Sequence, residues 1–222
     1  MFDSIIDFLF PKYCVGCGKY GNDLCNKCIN ELSIADQICP ECGDDSPMGW
    51  VHPKCKKEWG LDGLIVIYDY RDLIIKAAID GIKFGFNREL AVKLLKNFRF
   101  ESGVDFDSLV PVPLHFYREN WRGFNQAEVI ASLVGGKMKV RVVNMLKRKR
   151  RTKQQSLLSD KKDREKNVKG AFVVKKENSF RVKNKKILLI DDVFTSGADM
   201  KECTKVLKRA GAEVVWGLAL AH

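Results

Sequence analysis

The chain has 222 residues, which suits one full domain and a small one, and it holds no apolar run of about 18 residues able to cross a membrane. Its formal net charge is +11 at pH 7, but the surplus is concentrated: residues 141–186 carry eighteen Lys/Arg against four Asp/Glu, leaving the remainder slightly acidic. Seven of the eight cysteines lie between residues 14 and 55, beside a cysteine-poor remainder, which excludes a secreted disulfide scaffold and predicts reduced thiols in a cytoplasmic protein.

The start, M-F-D-S-I-I-D-F-L-F-P, is apolar but carries two acids and lacks a basic opening and a small-residue cleavage site, so it does not read as a signal peptide. Phe2, Ile5, Ile6, Leu9 and Phe10 share one face of a short amphipathic helix that ends before Pro11 and is expected to pack on the protein itself.

An internal repeat follows. Its first unit is C-V-G-C-G (Cys14, Cys17) and then L-C-N-K-C (Cys25, Cys28); its second is C-P-E-C-G (Cys39, Cys42) and then V-H-P-K-C (His52, Cys55). Each C-x-x-C-G is a knuckle whose glycine lets backbone amides approach the sulfurs, and each second pair opens a helix, where the dipole favours thiolate. Two such units imply two tetrahedral structural Zn²⁺ sites with sequential pairing, one of four cysteines and one of three cysteines and His52. Interleaved pairing of the first pair with the third stays open, as does a single-zinc arrangement without His52. A region this small needs metal for much of its stability. We therefore divide the chain into a zinc-binding region, 1–60, and an α/β domain, 61–222.

From Leu61 the pattern alternates strand and helix. Leu64 to Tyr68 reads as a strand, D-L-I-I-K-A-A-I-D-G-I-K-F as a helix ending near Gly85, and R-E-L-A-V-K-L-L-K-N-F as a second helix. S-L-V-P-V-P-L is a buried strand entering a proline turn, and N-Q-A-E-V-I-A-S-L-V is helical. V-R-V-V-N-M-L and G-A-F-V-V read as strands, and E-V-V-W-G-L-A-L-A as the last one. This order predicts a largely parallel sheet flanked by helices, with ligands outside the strands' carboxyl ends. The run K-R-K-R-R, Lys147, Arg148, Lys149, Arg150 and Arg151, is dense enough to hold a nucleic-acid backbone. Trp121, Phe124, Phe172 and Phe180 lie near it as candidate stacking surfaces. Cys203 sits in the apolar pattern of the last helix and reads as a buried structural thiol.

The most informative segment is I-L-L-I-D-D-V-F-T-S-G-A-D, residues 187–199. Four apolar residues read as a buried strand, Asp191 and Asp192 follow, and Thr195, Ser196 and Gly197 turn the chain into a helix over Asp199–Arg209. Loop amides and a helix N-terminus stabilise a phosphate, and adjacent carboxylates can accept hydrogen bonds from vicinal hydroxyls, so a sugar phosphate fits.

This segment resembles the 5-phosphoribosyl 1-pyrophosphate loop of type I phosphoribosyltransferases. The whole chain, from F-P-x-x-C-x-x-C through P-V-P-L and R-G-F-N-Q to the last strand, resembles the ComF family, in which a zinc-binding region precedes such a domain. The resemblance implies a type I phosphoribosyltransferase-like fold that binds phosphoribosyl pyrophosphate with Mg²⁺. Asp191, Asp192, Val193, Thr195, Ser196, Gly197 and Ala198 would form the ribose-phosphate site, with Asp191 and Asp192 as the catalytic pair. Leu114 and Arg122, with Arg118 beside them, would meet the pyrophosphate, and Arg151, Lys153 and Gln155 would belong to a closing hood. It also implies the handling of single-stranded DNA in the cytosol during natural transformation, alongside other competence proteins. Two alternatives stand beside that: a metabolic phosphoribosyltransferase acting on a small amine or nucleobase, and a non-catalytic sensor of the same ligand. No residue declares itself a general base. Asp199 stands where the family carries Thr or Ser; it either faces the loop and repels phosphate or caps the helix from outside.

Overall fold

The computed structural model describes residues 11–85, 87–114, 123–152 and 160–222. In chain order these form α1 (Asn26–Asn30), α2 (Pro53–Trp59), β1 (Gly63–Tyr68), α3 (Leu73–Phe84), α4 (Arg88–Leu94), β2 (Ser108–Pro111), α5 (Gln126–Met138), β3 (Leu146–Arg148), α6 (Lys161–Val168), β4 (Phe172–Val174), β5 (Lys186–Val193), α7 (Ala198–Arg209) and β6 (Val214–Ala221). The expected N-terminal helix, with Phe2, Ile5, Ile6, Leu9 and Phe10, lies outside the described residues.

Four strands make a parallel sheet in the order β1-β6-β5-β2. Ile187, Leu188, Leu189 and Ile190 of β5 are fully buried, as an uninterrupted apolar run must be in a sheet covered on both faces. Residues of opposite parity on β5 serve opposite cores. Leu188 and Ile190 pack with Ile75, Ile79 and Ile82 of α3, whereas Ile187 and Leu189 pack with Met200, Cys203 and Leu207 of α7. The α/β architecture, a mostly parallel sheet with helices on both faces, is thus the one expected.

Both sheet edges are covered, which removes the template that an open edge offers to another chain. On the β1 side, residues 33–37 run alongside: the Ala35 amide donates to the Ile67 carbonyl (3.1 Å) and the Asp69 amide to that of Ser33 (2.9 Å). The Gln37 side chain donates to the Val66 carbonyl (2.7 Å) and accepts from the Val66 amide (3.1 Å). On the β2 side, Leu109 donates to Arg141 and accepts from Val143, both at 2.9 Å.

Two elements depart from the sequence reading. The stretch V-R-V-V-N-M-L is not one strand: Val142 meets Leu109 in a single bridge, and the Met145 amide then donates to the Val143 carbonyl, 2.8 Å away. That tight three-residue turn redirects the chain into β3, which pairs antiparallel with β4 outside the main sheet. Strand β5 also runs past Ile190, because β6 continues to pair with it at Asp191 and Val193. The two acids therefore belong to the end of the strand and not to the loop.

Candidate functional site

The zinc-binding region presents two clusters. The sulfurs of Cys14, Cys17, Cys25 and Cys28 lie within 4.8 Å of one another, and so do the ligand atoms of Cys39, Cys42, His52 and Cys55. A tetrahedral site with Zn–S near 2.3 Å places its sulfurs about 3.8 Å apart, and Cys17 and Cys25 are separated by 3.7 Å. The residues fit zinc, in sequential and not interleaved pairing. His52 completes the second set through Nδ1, 3.3 Å from the Cys42 sulfur. Its Nε2–H donates to the Asp45 carbonyl at 3.0 Å, an outer contact that leaves Nδ1 as the ligating nitrogen.

Without a cation these clusters oppose their own charge. Burial would raise Cys14, but the amides of Cys17, Cys25 and Gly16 outweigh it and lower the thiol to about 6. Cys39 falls likewise to about 7, burial being outweighed by the amides of Cys42, Glu41 and His52. Burial and the neighbouring thiols instead push Cys28 up to about 12. Cys25 is lowered as well, chiefly by the Cys28 amide. The amides thus favour thiolate at some corners of each cluster, and a divalent cation would supply what the rest need.

Both units dock on the α/β domain. Cys14, Leu24, Cys28 and Leu32 share a core with α3 and α4, and the Asn87 amide donates to Asp23 at 2.6 Å. In the second unit, Trp50 meets Trp216 of β6 edge-to-face, centroids 4.8 Å apart. Lys56 of α2 reaches Asp62, which also pairs with Lys208 of α7 at 2.7 Å. Glu41, between Cys39 and Cys42, lies 3.7 Å from Lys201 of α7, whose ammonium also binds Glu165 of α6 at 2.9 Å.

At the carboxyl end of the sheet, Asp191 lines a small concavity with Val193, Thr195, Ser196, Gly197 and Ala198. Gly197 adopts φ 66°, a left-handed conformation suited to glycine, and serves as the N-cap of α7. The Ala198 amide reaches the Ser196 hydroxyl at 3.4 Å. Strand alternation sends the two acids to opposite faces: Asp191 shares the α7 side with Asp199, and Asp192 forms an ion pair with Lys83 of α3 at 3.3 Å. Burial, then the charges of Asp192 and Asp199, pushes the Asp191 carboxyl well above the ordinary carboxylate range. Leu114 follows β2 at the same end of the sheet, near Val112, whose carbonyl accepts from the buried Asn125 side chain at 3.1 Å. Arg118, Arg122, Lys153 and Gln155, and with them most of the expected pyrophosphate turn and hood, lie outside the described residues.

Asp199 neither caps α7 nor lies unmatched at the loop. Its carboxylate is 2.9 Å from Arg148, whose side chain is only 2 % exposed. The Arg148 guanidinium stacks 4.8 Å from the Phe172 ring centroid and donates to Thr152 at 2.6 Å. This corrects two readings: Arg148 is not part of a solvated basic run, and Phe172 is a buried support, not a stacking platform. The physical reason is the β3 period of two, which puts Arg148 on the inward side with Leu146. Arg150 is also engaged, donating to the carbonyls of Asn167 (2.8 Å) and Lys169 (3.0 Å) at the end of α6. Lys147, Lys149 and Arg151 remain exposed, as does Phe180. Trp121 lies outside the described residues. Cys203 is fully buried, and burial raises its thiol above the ordinary range. Lys83, Lys201 and the inward role of Arg148 were missed in the sequence; only the alternation after Leu146 could have signalled one of them. Among the described residues, no helix is long and apolar enough to cross a membrane.

Residues 5–56 match the family model described as a double zinc ribbon domain. Over 94 % of its length the chain is 30 % identical to competence protein F of Haemophilus influenzae, covering 90 % of that protein. It is 28 % identical to competence protein ComFC of Bacillus subtilis, over 87 % of this chain and 81 % of that one. The DNA utilization protein YhgH of Escherichia coli K12 is 27 % identical, over 89 % and 88 %. With its paired zinc tetrads and parallel sheet, the chain belongs to the family of competence protein F.

Proposed function

We propose that this protein binds 5-phosphoribosyl 1-pyrophosphate with Mg²⁺ at the β5–α7 loop and handles single-stranded DNA during DNA uptake. The observation that carries the ligand is the junction itself. An interior parallel strand ends in Asp191 and Asp192, and Thr195, Ser196 and Gly197 lead straight into the N-terminus of α7. Amides at that terminus suit the 5′-phosphate, and the carboxylates suit the hydroxyls of the sugar and the cation that accompanies it. Mg²⁺ would neutralise the pyrophosphate. Asp191 and Asp192 are the carboxylates at hand for it, and Lys83 holds Asp192 in place. The DNA side of the reading is supported by the names of the relatives, competence protein F and DNA utilization protein, and by the surplus charge in residues 141–186.

The test is calorimetry with phosphoribosyl pyrophosphate and Mg²⁺, on the wild type and on Asp191→Ala with Asp192→Ala. Binding by the wild type and none by the double variant is expected; equal affinity would refute the placement. Pyrophosphate release with and without single-stranded DNA then separates an enzyme acting on nucleic acid from a ligand sensor.

A further inference from the structure

The sequence draws attention to Lys147–Arg151, yet Arg148 is buried against Asp199 and Arg150, though exposed, is tied to the end of α6. A second exposed cluster of positive charge lies elsewhere. Helices α6 and α7 enclose a groove of about 470 Å³ lined by Lys162, Lys166, Lys169, Lys205 and Arg209, with Ala198 at one end. Lys162, Lys166, Lys169 and Arg209 are exposed and Lys205 is half-buried. The two acids in its wall are already engaged: Glu165 binds Lys201 at 2.9 Å, and Glu202 accepts from the Gly170 amide at 2.7 Å. Lys166 also pairs with Asp163 at 3.5 Å on the exposed surface of α6, and the groove wall as a whole keeps a surplus of positive charge.

Building on the single-stranded DNA reading above, we propose that this groove is the track for a single-stranded nucleic-acid backbone. The groove is of a size to take the backbone of a single strand and not a whole duplex. Helix α7 has 12 residues, a length of about 18 Å, along which one strand places at most about five phosphates. Among the described residues no aromatic side chain lines the groove, so it holds phosphates and leaves the bases unread. The groove also shares Ala198 with the concavity of the phosphate loop. A strand lying in it has one end directed at the sugar-phosphate site, which puts the nucleic acid and the small ligand in adjoining positions on one helix.

The test is fluorescence anisotropy of a labelled oligo(dT) on the full zinc-loaded chain over a series of salt concentrations. It compares the wild type, a groove variant (K162Q, K166Q, K169Q, R209Q) and a control (K147Q, K149Q). The groove variant is expected to lose at least tenfold in affinity at low salt and to flatten the log–log salt slope by about 3, from four lost phosphate contacts. The control should lose far less. All four groove substitutions are at exposed positions, and circular dichroism together with the milder pair K162Q, K169Q guards against a folding artefact. Wild-type affinity in the groove variant, an equal loss in the control, or equally tight binding of a duplex of the same length would overturn the assignment while leaving DNA binding intact. Failure of the wild type to bind any oligonucleotide would overturn the DNA reading and the groove with it.

Discussion

The guanidinium of Arg148 and the carboxylate of Asp199 lie 2.9 Å apart at the entrance to α7, so the acid beside the phosphate loop is compensated from within the fold. Breaking a buried ion pair on one side costs about 3–5 kcal/mol, because the surviving charge is stranded. Arg148→Met should therefore destabilise the protein by about that amount and weaken phosphoribosyl pyrophosphate binding. Asp199→Thr alone should also destabilise it. The double variant should recover much of the loss in stability and bind the ligand at least as well as the wild type. Urea denaturation of the four proteins with calorimetry on each measures the coupling; strict additivity would show that the pair does not act as a unit.

That pair also shows where sequence reading stops. The zinc tetrads were legible because each ligand pair is local, and the loop because strand, acids, turn and helix are contiguous. Arg148, Lys83 and Lys201 act through partners brought in by tertiary packing, and no local pattern announces such contacts. Arg148 was hidden for a further reason: a charge run suggests solvent, whereas a β-strand turns every second residue inward whatever its charge.

The purified protein should carry two zinc ions per chain, released on mild acid or thiol modification and counted by a metallochromic indicator. His52→Cys should keep both, since the position needs only a donor atom at the fourth corner. His52→Ala should retain one ion tightly and hold the second far more weakly. A stoichiometry of two in His52→Ala would remove the imidazole from the ligand set.

Asp62 makes acid stability specific to one residue. Burial would raise its carboxyl, but Lys208, Lys56 and the Val215 amide outweigh that and hold it below the ordinary range. A depressed folded value means that its stabilisation is present above the unfolded value of about 3.9 and is lost as pH falls through the folded one. Asp62→Asn should cost about 1–3 kcal/mol at neutral pH by removing the charged acceptor shared by Lys208, Lys56 and the Val215 amide, and the loss of stability below pH ~4 should become shallower. Denaturation midpoints against pH read both.

Asp191 has the opposite sign. Its carboxyl is raised by burial and by Asp192 and Asp199, so between the ordinary range and its own value the native state holds a proton that the unfolded chain has shed. Binding a cation-bearing ligand there requires the carboxylate and should release that proton. Calorimetry in buffers of different ionisation enthalpy should give a heat that scales with the buffer, and Asp191→Asn should abolish the dependence.

The strip of chain that seals the β1 edge, residues 33–37, lies between Cys28 of the first tetrad and Cys39 of the second. Its two ends are therefore anchored by metal. Stripping zinc would free the strip and bare a strand, G-L-I-V-I-Y, that carries no charge and no proline, the composition that stacks most readily against a copy of itself. Zinc in this chain is then a guard against self-association as much as a source of folding energy, and the metal-free protein is expected to be lost to aggregates before it is lost to unfolding.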